Sequence, residues 1–129
     1  MRLVLDTSVL IDVLRSRHGR RELLAELARG GHSLATTALN VAEVFAGMRR
    51  EEQAQTEVFL NALDCYELTR SAGQLAGTLK KNWARRGRTL TLADAIVAAI
   101  ALEHECTLMT DNRKDFPMPE LDYYPLPEA

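Results

Sequence analysis

Apolar positions along this chain fall into two kinds of run. The short blocks "RLVLD" (2–6), "SLATT" (33–37), "CYELT" (65–69) and "CTLMT" (106–110) each read as a strand, "RLVLD" and "CTLMT" as buried ones. Between them, apolar residues recur at helical spacing. "VLIDVLR" predicts a helix that Thr7 or Ser8 can cap. "RRELLAELA" predicts another, with Leu23, Leu24 and Leu27 on one side and Gly30-Gly31 ending it. In "LNVAEVFAGMRR", Val41, Val44, Phe45 and Met48 follow the i, i+3, i+4, i+7 pattern of an amphipathic helix. Residues 51–64 also read as helix, as does "SAGQLAGTLKKNWARRG" up to Gly87. The proline-rich tail leaves room for a last edge strand at Leu121–Leu126. Strands alternating with helices predict an α/β architecture: a central, mostly parallel sheet flanked by helices on both faces. With no internal repeat and no linker, the pattern reads as a single domain over residues 1–129.

One helix breaks the ordinary pattern. From Leu90 to Leu102, Thr91 aside, every residue but one is Ala, Leu, Ile or Val; the exception is Asp94. A helix apolar on all sides is buried, and a carboxylate within it needs a partner. "TLAD" also matches a capping box, Thr91 as N-cap with Asp94 three residues on, and that role accounts for Asp94 without any function.

Bulk properties narrow the class. Hydrophobic residues at 47% and charged residues at 26% are ordinary for a soluble globular protein. No apolar run reaches membrane-spanning length, and "MRLVLDTS" lacks the pattern of a secretory signal. Cys65 and Cys106 have no metal-ligand spacing and read as free thiols of a cytoplasmic protein. A formal charge of −2 argues against a bulk electrostatic binder of nucleic acid. The positive charge is nevertheless clustered: Arg15, Arg17, Arg20 and Arg21 form one group, and Arg70, Lys80, Lys81, Arg85, Arg86 and Arg88 lie in a stretch free of acids. Each cluster reads either as a solvated helix face or as a local phosphate-facing surface.

Sites in open parallel sheets form outside the carboxyl ends of the strands. That rule selects Asp6 after the first strand, the Thr36–Glu43 region after the second, and Thr110–Asp115 after "TLM". Each has a plain structural role available: a turn at Asp6, a solvated helix face carrying Asn40 and Glu43, and an Asx-rich turn at Asp111, Asn112 and Asp115. Taken together, Asp6, Glu43, Asp94 and the 111–115 loop meet at one edge, and the first three have no fixed basic partner in view. Converging carboxylates repel and raise one another's pKa, which a divalent cation relieves; an all-oxygen set suits Mg²⁺ or Mn²⁺.

The motifs resemble those of PIN-domain ribonucleases, and within them the VapC-type toxins of toxin–antitoxin pairs. "LDTSVLID" resembles the opening motif, with Asp6 as its acid; "LNVAEVFAG" the second, with Glu43; "LTLADAIVAAIALEHE" the third, with Asp94. "LMTDNRKDF" resembles the closing Thr-x-Asn-x-x-Asp-Phe element, here Thr110, Asn112, Asp115 and Phe116. The resemblance implies a PIN-like fold and Mg²⁺-dependent hydrolysis of RNA phosphodiesters, with Mn²⁺ able to substitute. It implies Asp6, Glu43, Asp94 and Asp115 as catalytic and metal-binding residues, Asp111 or Asn112 being the alternative to Asp115. Thr7, Asn40, Thr110, Asp111 and Asn112 would support the shell or contact substrate, while Asp12 reads as surface or supporting. A homodimer and a small antitoxin that blocks the metal site are implied as partners. Lys80–Arg88 near Trp83 could contact RNA backbone beside the pocket, while Trp83 itself reads better as packing. The alternatives are a PIN-like nuclease outside toxin systems, and a binding module that has kept the fold without turnover.

Overall fold

The computed structural model describes residues 1–127. Five strands, β1 (Arg2–Leu5), β2 (Ser33–Thr37), β3 (Asp64–Tyr66), β4 (Thr107–Met109) and β5 (Asp122–Tyr123), form one sheet in the order β3-β2-β1-β4-β5. Every neighbouring pair is parallel. The helices are α1 (Thr7–Leu14), α2 (Arg20–Arg29), α3 (Ala38–Gly47), α4 (Gln53–Asn61), α5 (Arg70–Arg85) and α6 (Leu92–Glu103). The expected α/β architecture is therefore present, with β1, the most apolar strand, at the centre.

Side-chain alternation along the strands explains the layering. Leu3, Leu5 and Met109 point to one face, where they pack with Val9, Leu10 and Val13 of α1, Leu24 of α2, Val44 of α3 and Leu60 of α4. Val4, Ala35 and Leu108 point to the other face and meet Ala72, Ala76 and Leu79 of α5 and the buried run Val97–Ala101 of α6. The helix that the sequence marks as apolar all round is thus sandwiched between the sheet and α5. Its alanines allow close approach: Ala95, Ala98, Ala99 and Ala101, like Ala72 and Ala76 of α5, are fully buried. Leu92, at its first turn, is the exception and is exposed.

Several boundaries move. The third strand is Asp64–Tyr66 rather than 65–69, because Leu68 is exposed and Thr69 turns the chain into α5 by accepting the N–H of Ala72. The last strand shrinks to Asp122–Tyr123, and Tyr124 adds one further hydrogen bond, to Leu108 O, before Pro125. α3 ends at Gly47, so Met48 leaves the helical stripe. Residues 50–52 form a 3₁₀ turn ahead of α4. At the end of α5, Gly87 adopts a left-handed φ of 79°, where a side chain would be strained.

Because Ile100 is fully enclosed between sheet and helix, Ile100→Ala should lower stability by about 2–5 kcal/mol. Urea unfolding followed by circular dichroism measures the loss.

Candidate active site

The carboxyl ends of β1, β2 and β4 bring chain-distant polar groups together beside the first turn of α6. Asp6, immediately after β1, is buried, and each of its oxygens has a side-chain donor. Thr110 Oγ1, beyond β4, donates to Oδ2 at 2.7 Å; Asn40 Nδ2, from α3, donates to Oδ1 at 3.0 Å. Asn40 is itself locked by Thr37, the N-cap of α3, which donates to its side-chain oxygen at 2.7 Å and accepts its backbone N–H at 3.2 Å. The solvated-face reading therefore fails for Asn40, which is fully buried.

Thr7 and Ser8 do not cap α1; the N-cap position is Asp6, without a side-chain cap bond. Their hydroxyls are used across the site instead. Thr7 Oγ1 donates to Glu43 Oε1 at 2.7 Å while accepting Asn40 Nδ2 at 3.0 Å, and Ser8 Oγ accepts the N–H of Asp111 at 3.3 Å. Glu43 lies exposed on α3, steered by Thr7. Asp94 sits in the first turn of α6 with Thr91 accepting its N–H at 3.1 Å, so the threonine half of the expected capping box forms. The Asp94 side chain is half-exposed and lines a cleft with Thr89, Leu90, Thr91, Arg88 and Asp115. Asp115 closes the 3₁₀ turn Arg113–Asp115, while Asn112 is exposed and contributes its backbone N–H to Thr110 Oγ1 at 3.0 Å.

The electrostatics bear the mark of this gathering. Burial raises the pKa of Asp6, with the charge of Glu43 adding to it, against the lowering effect of hydrogen bonds from Thr110, the Thr7 backbone and Asn40. Burial also raises that of Asp94; the Thr91 hydrogen bond opposes it, and the charges of Asp6, Asp115 and Glu43 push further upward. Asp6, Glu43 and Asp115 are therefore all within electrostatic reach of Asp94, and Glu43 of Asp6. Among the described residues none of the four has an ion-pair partner within 4.0 Å.

Two other acids are different. Arg20, 1% exposed, places Nη2 2.7 Å from Asp111 Oδ1 and Nε 3.5 Å from Asp12 Oδ2, and His18 Nδ1 lies 2.9 Å from the same Asp12 oxygen. Arg20 is thus no part of a surface cluster, and Asp12 is buried rather than superficial. The sequence carried a signal for this. Arg20 stands at position i of the i, i+3, i+4, i+7 stripe completed by Leu23, Leu24 and Leu27, the face that must be buried. Arg20 ties α2 and α1 to the loop after β4, the loop whose Thr110 holds Asp6.

Asp6, Glu43, Asp94 and Asp115 offer hard oxygen donors that, among the described residues, form no ion pair within 4.0 Å, although Arg88 lines the cleft beside Asp94 and Asp115; such a set could take a hard divalent ion. It is not a closed cage: no three His, Cys, Asp or Glu side chains among the described residues are drawn together as an ion-holding group. An open arrangement suits Mg²⁺, which keeps several waters and takes one or two carboxylates directly.

Fold and site together define a PIN domain. A family model described as PIN domain matches residues 3–118, and the chain belongs to that family. Within it the chain is similar to ribonuclease VapC19 of Mycobacterium tuberculosis, 32% identical over 115 residues that cover 89% of this chain and 92% of that protein. Ribonuclease VapC2 of Rickettsia felis is 23% identical over 122 residues, covering 88% of each. Among solved structures, VapBC2 from Rickettsia felis bound to a DNA fragment from their promoter has a TM-score of 0.86 at 21% identity, covering 96% of this chain and 98% of that one. DNA-bound VapBC from Salmonella typhimurium has a TM-score of 0.83 at 18% identity, covering 96% and 97%.

Two predictions follow from the charges. A carboxylate whose folded-state pKa is raised stabilises the fold below its unfolded pKa and loses that contribution as pH rises through the folded value. In metal-free buffer Asp94→Asn should therefore raise Tm at pH 7, and the gain should vanish near pH 3, read by calorimetry at both pH values. Arg20→Met leaves the buried Asp12 with His18 alone and releases the exposed Asp111, and should cost about 1–3 kcal/mol, much of it recovered when Asp12→Asn is added, as measured by denaturant unfolding.

Proposed function

We propose that this protein is a Mg²⁺-dependent endoribonuclease and the toxin of a toxin–antitoxin pair, acting in the cytoplasm. The observation that carries the reading is the separation of its acids into two kinds. Asp12 and Asp111 are paired with Arg20, whereas Asp6, Glu43 and Asp115 all act electrostatically on Asp94 and, among the described residues, none of these four has an ion-pair partner within 4.0 Å. Similarity to VapC ribonucleases along nearly the whole chain supports the same conclusion. The VapBC structures sharing the fold support a small antitoxin as partner, and a homodimer is proposed with it.

Asp6 and Asp94 are the proposed direct ligands, with Glu43 and Asp115 completing the set directly or through water. The Arg20 pairing of Asp111 favours Asp115 over it. Bound Mg²⁺ supplies charge neutralisation and Lewis-acid polarisation for attack of water on the phosphodiester. The chain's own groups hold the carboxylates ready. Thr110 and Asn40 occupy one lone-pair direction on each oxygen of Asp6, fixing its rotamer and leaving the remainder free to coordinate. Thr7 does the same for one oxygen of Glu43, so its other oxygen is available to a ligand water. Such fixed orientation saves the ordering cost that flexible carboxylates would incur on reaching the transition state.

Asp94→Asn should abolish Mg²⁺-dependent cleavage of RNA while preserving the fold. Asp115→Asn should reduce turnover by a factor of roughly 100, the scale of losing one group that acts electrostatically on the transition state, and Asp111→Asn by far less, measured with a fluorogenic RNA and circular dichroism. Full cleavage by the Asp94 variant rejects the metal role. Growth arrest on expression, relieved by a co-expressed antitoxin, tests the toxin role separately.

A further inference from the structure

Three-dimensional packing rearranges the arginines that the sequence groups together. Arg20 is buried in its ion pairs, and Arg21 donates to the carbonyl of Val13 at 3.1 Å. That leaves Arg15 and Arg17, at the end of α1, exposed. The fold adds a third, Arg49, from the connection between α3 and α4, and the three line one cleft with Leu14 and Glu52. Glu52 is the sole acid in that cleft's lining, and one of its oxygens accepts the backbone N–H of Arg49 at 2.8 Å. Among the described residues none of the three guanidinium groups has a carboxylate within 4.0 Å.

The position of this cleft matters as much as its charge. Leu14, Arg15 and Glu52 also line the adjoining recess between α1, α3 and α4, and Glu43 lies in the wall of that recess. A path of surface therefore leads from a site carboxylate directly to three unneutralised guanidinium groups. The basic segment of α5 is less free. Lys80 donates to Leu90 O, Arg88 donates to Lys114 O, and Arg86 lies over Trp83 at 4.9 Å, while Trp83 packs against the core.

We propose that the cleft of Arg15, Arg17 and Arg49 is a phosphate-binding subsite for single-stranded RNA, gripping the strand where it passes the Glu43 side of the carboxylate site. The inference rests on the RNA-cleaving reading above and adds the place and polarity of a substrate contact. Guanidinium groups suit this role because their planar donors match phosphate oxygens and they remain charged at any physiological pH. An RNA backbone approaching four carboxylates also needs positive charge beside them, which these arginines supply without neutralising the acids themselves.

The test uses the full chain carrying Asp94→Asn, with and without Arg15→Ala, Arg17→Ala and Arg49→Ala together, and a fluorescent single-stranded RNA whose binding is followed from low to moderate salt. A single-strand contact contributes about 0.7 to the slope of log K against log salt, so losing three should make the slope shallower by roughly 2 and weaken binding at low salt. A control lacking the exposed Arg2, Arg29 and Arg70 should keep most of the slope. An unchanged slope in the cleft variant, or an equal loss in the control, overturns the subsite while leaving the nuclease reading intact. Loss of binding to polyglutamate with unchanged RNA binding overturns it in favour of an acidic-peptide contact. Failure of RNA to bind even with all three arginines present overturns both the subsite and the RNA-cleaving reading.

Discussion

Four carboxylates at the carboxyl edge of the sheet, none of them ion-paired within 4.0 Å among the described residues, are the constraint that the surrounding structure must accommodate. Folding alone does not favour such a cluster, because burial and mutual repulsion both oppose ionisation at Asp94 and Asp6. Its cost is limited by hydrogen bonds rather than by ion pairs. Thr110 and Asn40 satisfy Asp6, Thr7 steers Glu43, and Thr91 fixes the first turn of α6 under Asp94. Neutral donors of this sort orient a carboxylate without cancelling its charge, so the negative field survives for a ligand.

The remainder of the scaffold keeps those donors in place. Thr37 anchors Asn40, and the N–H of Asp6 reaches Met109 O at 3.0 Å, joining the ends of β1 and β4. Arg20 works from the other side, drawing Asp111 and hence the Thr110 loop against α1 and α2. Where charge must be removed the protein uses a buried guanidinium; where it must be kept, it uses hydroxyls and an amide. The two kinds of acid stand a few residues apart in sequence, and only their partners distinguish them.

Helix packing serves the same end. Six buried alanines along α5 and α6 let the two helices approach closely beneath the sheet, carrying the half-exposed first turn of α6 to the strand ends. Proline-rich chain after the site adds Phe116, Met118 and Leu121 to the same core, which anchors the turn bearing Asp115.

Much of this was legible in the chain alone. Unbroken apolar blocks, alternating with runs at helical spacing, specified a parallel α/β sheet because strand and helix bury different faces, and that preference is local. The acids at strand ends could be named for the same reason, and the family likeness of their motifs pointed to the PIN domain. Tertiary structure decided what local pattern cannot encode: which neighbour satisfies which polar group. Thr7 and Ser8 resemble helix caps in sequence yet reach Glu43 and Asp111; Arg20 resembles a surface charge yet is sealed between two aspartates. The fate of a polar side chain depends on partners dozens of residues away and on the water that packing excludes, and neither exists until the chain has folded.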